Sequence, residues 1–237
     1  MLSLKTVGLA EFMLKSLAGA RTAIIAAPLL ALILCAPAEA QEIPGCGSLQ
    51  NAYGPFDYRD PTARTDKLPI VERFHFTPGV ASLTKGETGQ VIDDLDYTLR
   101  AFPNHHRALI SLSRFALGGG KFRSENIPSA DCFFQRAILF APDDEIVRIL
   151  FGNYLFKRGT LEDAKTQYET ALRLAPESPE ISYNAGLFYL QINDLDTATK
   201  LANVAYQSGY PLPGLKLKLE AARTKQANTR PKPVLHR

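Results

Sequence analysis

The rhythm of apolar positions changes twice along this chain. Residues 23–34, AIIAAPLLALIL, are apolar without a break. Residues 41–87 show no helical period. From residue 88 onward apolar side chains recur at helical steps: Val91, Ile92, Leu95, Leu99 and Phe102, then Ala108, Leu109, Leu112, Phe115 and Ala116. Stretches 129–140, 145–157, 161–174, 181–192, 195–207 and 212–222 follow the same rule. Together they predict about eight helices between 88 and 222. Gly159, Pro176 and the Asn193-Asp194 pair fall between them, where a helix must stop.

Small residues recur at one interval. Gly152 and Gly186, Ala164 and Ala198, and Ala171 and Ala205 are each 34 positions apart. Ala130, Ala137 and Pro142 precede Ala164, Ala171 and Pro176 by the same 34. A constant period means one supersecondary unit, stacked. Small side chains at Gly152, Ala164 and Ala171, and again at Gly186, Ala198 and Ala205, let the two helices of each unit approach closely. The interval from Pro103 to Pro142 is 39 residues, five more than the period. The extra residues fall between two helices, at Gly118-Gly119-Gly120 and the residues up to Pro128.

The run Tyr183-Asn184-Ala185-Gly186-Leu187-Phe188-Tyr189, with Ala198, Ala205, Gly159 and Pro176 at their places, resembles the tetratricopeptide repeat (TPR). The aromatic that often opens the first helix of that motif is replaced by Arg148 and Ser182. The resemblance implies an all-α, TPR-type solenoid of three repeats with capping helices, spanning 88–222. Gly-Pro-Phe-Asp-Tyr at 54–58, His-Phe-Thr-Pro at 75–78 and Leu-Arg-Ala-Phe-Pro-Asn-His-His at 99–106 also resemble a group of exported bacterial TPR proteins. That second likeness implies export and carries no mechanism.

Residues 41–87 are rich in Pro and Gly yet hold Tyr53, Phe56, Tyr58, Phe74 and Phe76. A disordered linker lacks such aromatics. The expectation is an extended, irregular arm that docks, with a strand-like piece at 71–76. Stacked repeats form a concave surface lined by their first helices. Matched positions there are Ile110, Ser111 and Arg114; Ile149, Leu150 and Asn153; Tyr183, Asn184 and Leu187. The candidate peptide- or arm-binding groove is therefore Ile110, Arg114, Ile149, Asn153, Tyr183, Asn184 and Leu187, filled either by a partner's peptide or by residues 50–80 of the chain itself.

Lys15 and Arg21 precede the apolar run, and Ala38-Glu39-Ala40 follows it. Basic, apolar, then small-x-small is the order of a secretory signal peptide, cleaved after Ala40. The run is shorter than the roughly 20 residues a bilayer span needs, so no stable span is expected after cleavage. An uncleaved anchor, or a lipid on Cys35, is the less favoured alternative. The start is Met1 or Met13. The expected location is the periplasm.

The formal net charge is +3, from 27 Lys+Arg and 24 Asp+Glu. Residues 41–222 hold 19 basic and 22 acidic residues, whereas 223–237 hold five basic and none acidic. The positive balance is thus a basic, disordered tail. No basic face for nucleic acid is implied.

Cys46 and Cys132 remain after cleavage. In an oxidising compartment they are a disulfide candidate, the alternative being two buried thiols. His105-His106 point about 100° apart on a helix and cannot easily share a metal. They are expected to cap a helix or lie at the surface, and no metal site or cofactor is expected. Asp93, Asp94 and Asp96 read as a solvated helix face. No nucleophile elbow, P-loop or dinucleotide fingerprint is present. No catalytic residue is assigned. The expected function is a non-enzymatic periplasmic adaptor that holds an envelope protein or peptide. The alternatives are an envelope enzyme accessory or hydrolase using the arm, the glycine insertion and His75, His105 or His106, and a structural solenoid closed by its own arm.

Overall fold

Local capping chemistry decides where each helix begins. Ser178 ahead of Pro179, Asp144 ahead of Glu145 and Asp194 ahead of Leu195 each accept a hydrogen bond from a first-turn backbone N–H. A cap of this kind contributes about 1 kcal/mol. Gly159, at φ 92°, closes a helix in the left-handed conformation that an L side chain resists.

The computed structural model of this chain describes residues 42–122 and 129–229. The expected signal peptide (1–40), the centre of the glycine insertion (123–128) and the last part of the basic tail (230–237) lie outside the described residues. Helices α4 (Val91–Ala101), α5 (His106–Leu117), α6 (Ala130–Phe140), α7 (Glu145–Arg158), α8 (Leu161–Leu174), α9 (Pro179–Gln191), α10 (Leu195–Gln207) and α11 (Gly214–Thr229) follow in order. Helices α7 with α8, and α9 with α10, pair along their lengths. First helices also meet across units, α5 on α7 and α7 on α9. This is the all-α solenoid, stacked on a continuous core from Ile92 to Leu219.

The small-residue grid has a direct steric meaning. A Cβ added to Gly152 would meet the Tyr168 ring at 3.0 Å, and one on Gly186 would meet Leu215 Cδ2 at 2.5 Å. Ala164, Ala171, Ala198 and Ala205 are fully buried. Tyr168 stacks on Phe188 at 4.2 Å, which ties one unit to the next.

Several expectations are corrected. The arm is not without helices: α1 (Pro61–Asp66), α2 (Leu68–His75) and α3 (Pro78–Ala81) occupy it. Residues 71–76 are therefore mostly helical rather than strand-like. The prolines that hid this sit in the first turns, where a missing N–H costs nothing. Helix α2 packs on α4, and α3 on both α4 and α5. Together α2 and α3 stand where a first helix would pair with α4, so the lone helix at 88–102 has a partner after all. Two-residue strands β1 (Glu42–Ile43) and β2 (Gly47–Ser48) form an antiparallel turn before them.

The arm does not fill the concave groove. Tyr58, Ala63, Leu68 and Val71 form a core with Ala101 and Phe102 at the end of α4. Gly54, at φ 101°, brings the chain against Ala101, where an added Cβ would meet the carbonyl oxygen at 2.5 Å. Phe56 N–H donates to that same oxygen at 2.9 Å. Aromatic burial draws the arm here because the α4 C-terminus offers apolar surface and an open carbonyl together.

At the other end, α11 continues to Thr229, so residues 223–229 are helical and not a disordered tail. It packs on α9 and α10 as α9 packs on α7 and α8. Its place is that of the first helix of a further unit.

Candidate interaction groove and its polar anchor

The sequence places its candidate groove residues at matched positions on α5, α7 and α9, and the structure sorts them. Ile110 and Arg114 on α5, with Asn153 on α7, line one cavity of about 330 Å³ together with Ser113, Leu117, Leu150, Tyr154 and Lys157. Ile110 is 44% exposed although apolar. No residue of 50–80 lines this cavity. Ile149 and Tyr183 are buried, so they belong to the core and not to the groove lining. Tyr183 stacks on Tyr210 at 4.4 Å. Asn184 donates to Glu180 O on its own helix, and Leu187 packs on the core. Neither lines the α5–α7 cavity.

Leu117, Tyr154 and Lys157 were missed, although helical spacing points to them. Leu117 lies two turns after Ile110, and Lys157 two turns after Leu150. Tyr168 Oη donates to Asn153 Oδ1 at 2.7 Å, which fixes the amide at the groove edge. Among the described residues Arg114 and Lys157 have no ion-pair partner, so the cavity is an apolar floor with two cations beside it.

A polar cluster lies where the arm meets the N-termini of α5 and α7. Asp144, the buried N-cap of α7, accepts from Val147 N–H, His106 Nε2 at 2.9 Å and Asn104 Nδ2 at 2.9 Å. Asn104 also donates to Asp57 at 2.7 Å and accepts from Tyr58 N–H. Arg59 pairs with Asp57 at 2.8 Å and Asp143 at 3.0 Å. Burial alone would raise the Asp57 pKa. Hydrogen bonds from Arg59 and Asn104 outweigh burial and bring it to about 2. Burial opposes ionisation of Asp144 too, and donation from His106, Asn104 and Val147 N–H holds it below the usual carboxylate range.

The histidines are structural partners. His105 is buried, not on the surface; its Nδ1 accepts from Ala108 N–H as the N-cap of α5. Nε2 therefore carries the proton and donates to Glu72 at 3.1 Å. Burial pushes the His105 pKa down, which keeps the ring neutral. His75 Nδ1 bonds to Asp94 at 3.0 Å. Asp94 is buried, which corrects its reading as part of a solvated face; it accepts as well from Thr88 Oγ1 and from Glu87 and Thr88 N–H. A smaller cavity of about 220 Å³ beside His75 is walled by Tyr53, Ile70, Val71, Phe74 and Tyr97. No serine, threonine or cysteine lines it. Among the described residues no cluster of His, Cys, Asp or Glu could hold a metal.

These shifts set an acid limit. All are depressed, so each group contributes stability that is complete above its unfolded pKa and lost as pH falls towards its folded one. His105 gives way first, below about 6.5, followed by Asp57, Asp94 and Asp144 below about 4. Denaturation midpoints measured against pH should fall in those two stages. His105→Asn, which keeps a cap on α5, should abolish the upper stage and leave the lower. An unchanged upper stage would refute the assignment.

Cys46 and Cys132 are joined by a disulfide, with Cα atoms 5.1 Å apart. It fixes the β1–β2 turn to α6. Arg136, one turn further along α6 and 1% exposed, donates through Nη1 to the carbonyls of Cys46, Gly47 and Ser48.

Comparison with known proteins agrees with this architecture. The family model described as TPR repeat matches residues 152–193, which run from α7 through α8 and α9. Over 112 residues the chain is 27% identical to protein O-mannosyl-transferase TMTC3 of Mus musculus. That match covers 47% of this chain and 12% of the relative, so the chain spans a small part of the relative's length. Among the described residues no helix is long and apolar enough to cross a membrane. With the 34-residue period, the nested small residues and the paired helices, residues 152–193 carry the tetratricopeptide repeat, set in an all-α solenoid of like helix pairs.

Proposed function

We propose that this protein is a non-enzymatic, exported scaffold of the periplasm. It holds a segment of an envelope protein on the α5–α7 face. Repeats of this type serve protein–protein interaction. The observation that carries the finer reading is the α5–α7 cavity, where exposed Ile110 and Leu117 sit beside Arg114 and Lys157. A site of apolar floor and cationic edge suits a peptide that presents one or two apolar side chains and an acidic group. Asn153, held by Tyr168, supplies an amide for the peptide backbone. The signal-like N-terminus and the Cys46–Cys132 bridge support an oxidising compartment.

A photoreactive residue at Asn153, introduced in cells, should give a discrete adduct that mass spectrometry can identify. The same residue at exposed Thr166 on α8 should give none. Arg114→Glu with Lys157→Glu should weaken capture by about tenfold or more, because like charges then face the acidic group. Equal adducts at both positions, or capture unchanged by the charge reversal, would exclude this groove as the binding site.

A further inference from the structure

Helix α11 occupies the place of a first helix, and among the described residues no second helix follows to cover it. Its inner face is settled: Leu215 and Leu219 are buried against the last unit. At about 100° per residue, the opposite face is centred on Leu217, with Ala221 beside it. Leu217 is 58% exposed, and Leu212, in the connection just before the helix, is 52% exposed. Lys218 and Lys225 flank this stripe on one side; on the other lie Glu220 and then Lys216 and Arg223, which border a cavity of about 490 Å³ against α10. From residue 214 to the end, the sequence has seven lysines and arginines and a single acid, Glu220.

Such a surface narrows the choice of partner. A second copy of the chain would bring two strongly cationic helices together, which like-charge repulsion opposes. Two exposed leucines are too little for the apolar centre of a protein interface, which buries about 800 Å² on each side. A flat anionic surface asks for what is present: a short apolar stripe with lysines on both flanks, able to lie in the interface plane. We propose that α11 docks the protein on an anionic phospholipid bilayer. Leu212 and Leu217 enter the headgroup region, and Lys216, Lys218 and Lys225 face the lipid phosphates. Arg223 is partly engaged already, donating to Thr199 Oγ1 at 2.7 Å. This docking is independent of the α5–α7 groove and would leave that groove open to a partner.

Vesicle sedimentation tests the proposal on the full chain, with vesicles of phosphatidylcholine alone or mixed with phosphatidylglycerol. The comparison form is Lys216→Gln/Lys218→Gln/Lys225→Gln. Both forms share the apolar run at 23–34, so any contribution from it cancels. The unaltered chain should partition far better onto the mixed vesicles, and the triple variant should lose about a hundredfold of that preference. Raised salt should reproduce the loss. Leu217→Asp should also weaken binding, with the thermal midpoint unchanged because Leu217 is not in the core. Equal partition onto both vesicle types, or an unchanged preference in the triple variant, would overturn the proposal. Concentration-dependent dimerisation abolished by Leu217→Asp, without vesicle binding, would assign the face to a second copy instead.

Discussion

Replacing both Cys46 and Cys132 with serine is expected to lower the unfolding free energy by about 4 kcal/mol, read from denaturant midpoints. The bridge spans 86 positions of sequence and ties the turn at 42–48 to α6. In the chain-entropy account, closing so long a loop removes much of the freedom of the unfolded chain. A second effect follows from Arg136. Its guanidinium is buried, its Nη1 depends on three carbonyls of the bridged turn, and among the described residues its Nε and Nη2 have no hydrogen-bond partner. Burial pushes the Arg136 pKa down. Once the bridge is gone the turn is free to leave, and the cation loses the acceptors that justify its position. A double-mutant cycle with Arg136→Met should therefore show coupling: the substitution should cost more in the bridged protein than in the serine variant. Additive effects would mean that the turn stays in place without its disulfide.

Asp144→Ala should destabilise the fold by about 3–5 kcal/mol. The carboxylate is wholly buried and serves the α7 N-terminus, His106 and Asn104 at once. Removing it strands several donors in a site that water does not reach, and an unsatisfied buried polar group is costly. Asp144→Asn is the informative control. It keeps a cap on α7 but carries no charge for Arg59, whose Nε lies 3.6 Å from the carboxylate, so it should fall between the wild type and alanine. Because Asn104 links Asp144 to Asp57 and Tyr58, the alanine variant should also loosen the arm. Hydrogen exchange at Tyr58 N–H, which donates to Asn104, would report this. Full protection there, with the global loss still present, would confine the effect to α7.

The contrast between the repeat and the arm shows what a single sequence can convey. Helix period and small-residue spacing are local or strictly periodic signals. They gave α7, α8 and α10 nearly residue for residue, because Gly152 and Ala164 can be recognised by their interval alone. In the arm, Pro61, Pro69 and Pro78 read as breakers, although each lies in the first turn of a helix. Proline has opposite meanings inside a helix and in its first turn, and nothing local separates the two once the helix is only one or two turns long. Asp94 was misread for a related reason. Three acids in four positions look solvated until a loop, here 87–88, folds back to donate two backbone N–H groups.

The first-helix residues divide along the same line. Of the matched positions, Ile110, Arg114 and Asn153 share one cavity, whereas Ile149 and Tyr183 are buried in the core, and spacing alone does not separate them. Positions one residue apart on a helix point in different directions, and a superhelical stack decides which of them faces the concavity. By itself the sequence determined the repeating unit, its helices and its close-packed seams, since these depend on spacing within some forty residues. Only the tertiary structure decided where the arm lies, which acids are buried and which first-helix residues stay open. Those depend on groups far apart in the chain, whose desolvation is offset only when they meet.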